Sequence, residues 1–166
     1  KINKATKQYY GRYGFDPVKI VPSSKKDPYK MWEAILNIIG EIKIEDLKKL
    51  ILLVYKENKN KIIIKPSSIN SSYNFRSGFL EQTLVMAQLA KKIAPYYKIN
   101  KDLAIGGVLL IKIGVIKQIK SGYISENSKE GYLLGQTILG RDILNTAIKR
   151  LKNFPKDLKT KLEHII

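Results

Sequence analysis

The sequence predicts an all-α fold, a bundle of six or seven helices with a small β-hairpin and an extended N-terminal arm. Apolar residues recur at helical spacing through most of the 166 residues. Hydrophobic residues make up 44% of the chain and charged residues 27%, which are ordinary proportions for a soluble globule. No stretch reaches the roughly 18 consecutive apolar residues of a membrane span, and no signal-peptide pattern opens the chain. We therefore expect one soluble, cytoplasmic helical domain.

The first two helices carry the clearest pattern. Asp27 and Pro28 are typical of an N-cap and a first turn, and they precede MWEAILNIIGEI. The segment IEDLKKLILLVYKEN follows, with its acidic residues in the first turn. The inward positions of the two helices are predicted to be Met31, Ile35, Ile38, Ile39 and Ile42, then Leu47, Leu50, Ile51, Val54 and Tyr55.

The remaining segments are less uniform. Residues 58–65 suit a strand or a last helical turn, and KPSSINSSYNFRSG is a polar loop. A helix is predicted from about Ser77 to Tyr97, followed by the nearly all-apolar LAIGGVLLIKIG, whose Gly106 and Gly107 permit close helix contact. A hairpin is predicted over 115–124, and further helices over 128–152 and from Pro155 onward. The inward positions of the helix that begins near Ser77 are predicted to be Phe79, Leu80, Leu84, Ala87 and Ile93.

Residues 1–26 differ from the rest in having too few aliphatic side chains to build a core. We predict a short strand near the start and then an extended linker. Four aromatic rings in this arm either pack onto the following domain or stack on bases: Tyr9, Tyr10, Tyr13 and Phe15. Residues 27–166 then form the helical domain.

The charge is strongly positive. The chain holds 27 lysines and four arginines against 14 acidic residues, a formal net charge of +17. Such an excess attracts polyanions, and the scarcity of arginine favours binding that ignores sequence and depends on salt. The abundance of Lys, Ile and Asn is also what an AT-rich coding sequence produces, so codon bias remains an alternative origin of part of the charge.

One segment concentrates this charge. Between residues 48 and 65, six lysines accompany one acid, Glu57. A nucleic-acid-binding surface or simply a solvated face is possible there. The candidate surface comprises Lys48, Lys49, Lys56, Lys59 and Lys61.

The absence of cysteine and the single histidine, His164, exclude several classes of site. Disulfide frameworks, zinc fingers and thiolate nucleophiles are ruled out, as is any metal centre that needs two imidazoles. No glycine-rich phosphate loop is present either. The sequence therefore predicts no cofactor and no bound metal.

Five blocks in order carry a family resemblance: PSSKKDPYKMW, SGFLEQT, NKDLAIGGVLLIKIG, EGYLLGQTILG and LEHII. The chain resembles the HD-domain superfamily of metal-dependent phosphohydrolases, most closely the YhaM-type 3′→5′ exoribonucleases. The resemblance implies an HD-like helical domain. It also implies that residues 1–26 are the exit of a preceding OB-fold module.

The residues that hold metal in that family do not carry over. The resemblance places Ser72 and Tyr73 at the positions of a pair of family histidines, and Gln82 and Gln136 at the positions of two further histidines. Only His164 coincides with a family histidine. The defining His-Asp pair is replaced by Ile111 and Lys112.

Lys112 has two interpretations. Its ammonium could occupy the vacated cation position as a structural substitute, or it could extend from a core helix to solvent. Either way the resemblance implies a catalytically inactive module that binds nucleic acid, with RNA the expected partner, or supports assembly. The alternatives are a metal-dependent exoribonuclease with atypical ligands and a protein scaffold, and a homo-oligomer or larger complex is compatible with each.

Overall fold

The computed structural model describes residues 21–122 and 125–166. The first 20 residues of the arm proposed for residues 1–26, including its strand and its aromatic cluster, lie outside the described residues. The described part is a helical bundle with a small two-stranded antiparallel sheet, which confirms the predicted fold class.

The described residues form seven α-helices, of which the one at Val115–Gln118 is a single turn, and one 3₁₀ turn at Ala94–Tyr96. The helices are α1 (Pro28–Gly40), α2 (Glu45–Ile64), α3 (Gly78–Ile93), α4 (Lys101–Leu110), α5 (Val115–Gln118), α6 (Lys129–Ile148) and α7 (Lys156–Ile165). Strands β1 (Ile119–Lys120) and β2 (Glu126–Asn127) pair with Ile119 opposite Asn127.

The first two helices follow the predicted pattern. The Asp27 carboxylate accepts from the backbone N–H groups of Tyr29 and Lys30, which makes it the N-cap of α1. All ten inward positions predicted for α1, its C-terminal extension and α2 are buried. Tyr55 lies among them, and its hydroxyl donates to the Leu109 carbonyl at 2.8 Å. Burial raises the pKa of this phenol.

Of the two alternatives left open for residues 58–65, the helical one holds, since residues 58–64 continue α2 and Ile62 turns into the core at helical spacing. Several other boundaries were predicted wrongly. Helix α3 ends at Ile93, which is 47% exposed rather than inward. Residues 115–118 are helical, so the hairpin starts at Ile119 and its second strand lies beyond the predicted segment. Helix α6 ends at Ile148 and is kinked at Gly135, which has a φ of 72°.

Close backbone contacts set the positions of α4, α5 and α6. As predicted, Gly106 and Gly107 permit close packing, against the side chains of Leu47 and Ile165. Gly114 lies against α6 so tightly that an added Cβ would be 1.9 Å from the Gln136 carbonyl oxygen. The residues just before Gly114, Lys112 among them, are therefore held close to the part of α6 that follows the Gly135 kink.

No helix in the described ranges combines the length and the apolar character needed to cross a bilayer.

Candidate functional site

The loop between α2 and α3 forms one side of the candidate site. The Ser67 N–H donates to the Tyr73 carbonyl at 2.9 Å, and the Ser68 hydroxyl donates to the Ser71 and Ser72 carbonyls at 3.0 Å each. Tyr73 has a positive φ of 64°. These bonds close the loop on itself and hold the Ser67 side chain against α3.

The Lys112 ammonium lies at the centre of a polar cluster. It donates to the Ser67 carbonyl at 3.0 Å, to the Ser67 hydroxyl at 2.9 Å and to Gln82 Oε1 at 2.9 Å. The Ser67 hydroxyl in turn donates to Gln82 Oε1. An ammonium has three N–H donors, so those of Lys112 are all used within the protein.

Partial burial lowers the pKa of Lys112, because desolvation disfavours the charged form. The acceptors around it are neutral groups, a hydroxyl, an amide and a carbonyl. Six ion pairs join side chains of the described residues, and Lys112 belongs to none of them. Its charge is stabilised by dipoles rather than by a counter-ion.

A divalent metal does not fit this donor set. Catalytic divalent cations take carboxylate and imidazole ligands, which the Ser67–Gln82–Lys112 cluster lacks. The oxygen atoms of Ser67 and Gln82 already accept hydrogen bonds from the Lys112 ammonium. Within residues 21–122 and 125–166, no three His, Cys, Asp or Glu side chains form a group that could hold a metal ion.

Gln136 faces the same space as Lys112. Both residues line an open pocket of about 360 Å³, together with Ser67, Gln118 and Asn127. Gln136 follows the Gly135 kink, and its carbonyl lies against Gly114. The structure therefore brings Gln82, Lys112 and Gln136 to one polar region.

The other candidate positions lie elsewhere. Ser72 and Tyr73 contribute backbone carbonyls to the loop, while the Tyr73 ring packs against Phe75 with centroids 5.8 Å apart. Ile111 is the C-cap of α4, and its N–H donates to the Gly107 carbonyl at 2.8 Å. His164 is exposed on α7.

Glu81, the carboxylate next to Gln82 in the sequence, has its contacts with residues 24 and 26 and not with Lys112. It accepts from the Ser24 hydroxyl at 2.7 Å and pairs with Lys26 at 3.2 Å. The hydrogen bond from Ser24, reinforced by Lys26, lowers the pKa of Glu81. It therefore ties residues 24–26 to α3, next to the isolated β-bridge between Ser23 and Arg76.

The candidate lysine surface of α2 divides into two parts. At about 100° of rotation per residue, Lys48, Lys49, Lys56 and Lys59 lie within about 100° of arc, and Lys61 lies about 120° beyond them. Two members have internal contacts. Lys48 donates to the Gly40 carbonyl at 2.8 Å, and the Lys59 ammonium lies 5.4 Å from the centroid of the Trp32 ring.

Sequence reasoning did not single out Ser67 or Lys65. Ser67 sits among Ser68, Ser71 and Ser72, and nothing in the pattern separates one serine from another. Lys65 ends a run of lysines that looks uniformly solvated, yet its side chain is buried. Only tertiary contacts distinguish these residues from their neighbours.

No protein-family model matches the chain, and no solved structure matches it. The 3′-5′ exoribonuclease YhaM of Bacillus subtilis is 25% identical over 138 residues, which cover 82% of this chain and 44% of the relative. The YhaM protein of Halalkalibacterium halodurans is 28% identical over 137 residues, covering 80% and 43%. The chain thus spans less than half the length of these curated relatives. These similarities support a distant relation to the YhaM exoribonucleases over most of this chain.

Proposed function

We propose that this chain is a catalytically inactive relative of the HD-domain phosphohydrolases that binds RNA without sequence preference, as a binding or assembly module. The observation that carries the proposal is the Lys112 ammonium, whose three donors are taken up by Ser67 and Gln82. Because the oxygen atoms of this site already accept hydrogen bonds from an internal cation, the site has no open position for a metal that activates water.

Loss of a metal site by substitution accounts for this cluster. On the resemblance, an amide or an ammonium replaces an imidazole or a carboxylate at Gln82, Lys112 and Gln136, and these three converge in the structure. We propose that the full set of positions of the lost HD site is Ser72, Tyr73, Gln82, Ile111, Lys112, Gln136 and His164. The corresponding domain would be residues 27–166, with residues 1–26 as the arm that leads into it.

RNA is the favoured partner for two reasons. The curated relatives are named as exoribonucleases, and this chain carries a net charge of +17. Lysine-rich surfaces attract phosphate backbones through counterion release, which does not depend on base sequence. The exposed lysines of α2, Lys49 and Lys56 above all, supply such a surface on one side of the domain.

The test combines binding and cleavage on the 166-residue chain. Fluorescence anisotropy with a short single-stranded RNA should show binding at low salt that weakens steeply as salt rises. The same RNA, labelled at its 5′ end and incubated with Mn²⁺, should remain full length. Absence of binding at low salt would contradict the partner.

The second candidate, a metal-dependent exoribonuclease with atypical ligands, rests on the names of the curated relatives. It predicts Mn²⁺-dependent shortening of the RNA from its 3′ end. That shortening should change in a Gln82→Ala variant if it belongs to this chain, because a contaminating nuclease would be indifferent to the substitution. Such a result would replace the inactive assignment.

A further inference from the structure

A second lysine-lined feature lies on the other side of α2 from Lys48 and Lys49. It is an open groove of about 660 Å³, formed by the end of α2, by α5 and β1, and by residues of α6 from Glu130 to Asp142. Four lysines line it, and we call it the lysine groove: Lys61, Lys65, Lys117 and Lys120.

Lys65 is the unusual member of the groove. The residue is only 6% exposed, and its ammonium donates to the Ile119 carbonyl at 2.6 Å. Among the described residues this carbonyl is its one acceptor and no carboxylate pairs with it, although an ammonium has three donors. A buried charge with unused donors and no counter-ion is unfavourable. Its position in the groove means that an anion bound there would relieve the cost.

The groove lysines around Lys65 are also positively charged. Desolvation by burial lowers the pKa of Lys65, and the nearby charge of Lys61 lowers it further. Lys117 and Lys120 are exposed on the groove's α5–β1 wall. Glu130 and Asp142 lie along the groove as well, but neither forms an ion pair with a groove lysine in the described part of the chain.

The groove continues into a smaller pocket of about 170 Å³, which shares Ile64 and Ser121 with it and adds Arg76. Cationic groups therefore line two adjoining pockets. Apolar side chains, Ile116 and Leu134 among them, line the groove as well. Several cations together with apolar surface suit a strand with repeated phosphates and bases better than a single small anion.

We propose that the lysine groove binds the phosphodiester backbone of single-stranded RNA. This inference rests on the proposed function and names the surface that performs it. The α2 surface around Lys49 and Lys56 then contributes mainly to long-range attraction, because two of its lysines, Lys48 and Lys59, already have internal partners.

The test compares two double variants with equal loss of charge. Lys117→Gln with Lys120→Gln alters exposed groove residues, and Lys92→Gln with Lys98→Gln removes two exposed charges near the end of α3, outside the groove. Anisotropy with a short oligouridylate RNA across a salt series measures both. We expect the groove variant to lose about tenfold in affinity and about 1.4 in the slope of log K against log salt, since single strands give about 0.7 per phosphate contact.

The RNA affinity of the control variant should fall by about twofold or less, because charges far from the binding site are screened by salt. Equal losses in the two variants, with the wild-type chain still binding RNA, would overturn the groove assignment and leave the proposed function standing. No binding by the wild-type chain at low salt would overturn the proposed function itself. Circular dichroism of both variants verifies that the fold is unchanged.

Discussion

The ammonium groups of Lys65 and Lys112, one buried and one partly buried, have very different surroundings. Lys112 has its three donors bonded to Ser67 and Gln82, whereas among residues 21–122 and 125–166 Lys65 has a single partner, the Ile119 carbonyl. The groups lie close in the fold, since Ser67 follows Lys65 by two residues on the same loop. A saturated ammonium stabilises its own protein, and an ammonium with unused donors is available to a ligand. The comparison therefore separates a cation bonded within the protein from the one to which we assign a role in RNA binding.

The largest expected effect comes from the segment that positions Lys112. Gly114→Ala would place a Cβ 1.9 Å from the Gln136 carbonyl oxygen and 2.6 Å from the Gly140 nitrogen. Because these are backbone atoms of α6, we expect the free energy of unfolding to fall by about 3 kcal/mol. Urea denaturation measures this change. Gly40→Ala is the matched control, since nothing lies within 4 Å of its Cβ, and it should be nearly neutral.

The comparison predicts unequal costs for removing the two ammonium groups. Lys112→Met deprives the Ser67 carbonyl and Gln82 of a charged donor, so we expect a loss of about 2 kcal/mol in the free energy of unfolding. Lys65→Met removes a poorly paired buried charge, and we expect a loss below about 1 kcal/mol. Urea denaturation of the two variants side by side tests this. Equal losses would mean that both lysines have the same structural role.

The RNA affinities should rank in the opposite order. Lys65→Met is expected to weaken binding about fivefold at low salt, because it removes one phosphate contact and its released counterion. Lys112→Met should change affinity by less than about twofold, because its donors are not free for a ligand. Anisotropy measured below the denaturation midpoint of each variant gives both values. A larger loss in Lys112→Met would show that its cluster faces the RNA.

The smallest effect concerns acid. The pKa of Glu81 is lowered from its ordinary value of 4.5 by the hydrogen bond from Ser24 and by Lys26. A depressed pKa means that the folded state binds this proton less readily than the unfolded state. The stabilisation is therefore complete above about pH 4.5 and is lost as pH falls through the lowered folded value.

Glu81→Gln removes that dependence. Between pH 5 and pH 3 the free energy of unfolding of the wild-type chain should fall by about 0.5–1 kcal/mol more than that of the variant, which is the contribution of a partly exposed charged contact. Urea denaturation at the two pH values measures this difference. The Lys112 cluster, whose acceptors are neutral, should add no such acid sensitivity, so Gln82→Ala should keep the wild-type slope of stability against pH. Identical slopes for the wild-type chain and Glu81→Gln would contradict the assignment.

The helical periodicity of α1 and α2 was readable because each residue's burial depends on its angle around a single helix axis. Prediction failed where backbone contacts from elsewhere decide the conformation. Residues 115–118 form a helical turn because Gly114 and Gly131 let α5 and α6 approach, with a Cβ on Gly131 only 2.3 Å from the Gln118 carbonyl oxygen. The kink at Gly135 leaves no comparable mark in the hydrophobic pattern.

The candidate site divides in the same way. The resemblance singled out Gln82, Lys112 and Gln136, which lie together, but also Ser72, Ile111 and His164, whose side chains do not join them. Sequence reasoning treated Lys61 as part of one surface with Lys49 and Lys56. Counting positions along α2 shows that it points toward the groove, and the groove itself needs α5, β1 and α6 to exist.

By itself the sequence determined the helical class, the inward faces of the longest helices, the positive charge and the shortage of metal ligands, because these depend on composition and local spacing. Tertiary structure alone decided which ammonium has all three donors bonded and which has one bonded within the described part of the chain. Lys65 and Lys112 are identical side chains 47 positions apart. Their difference arises from the acceptors that other segments bring to each, and a hydrogen bond between distant residues leaves no trace in the order of either segment.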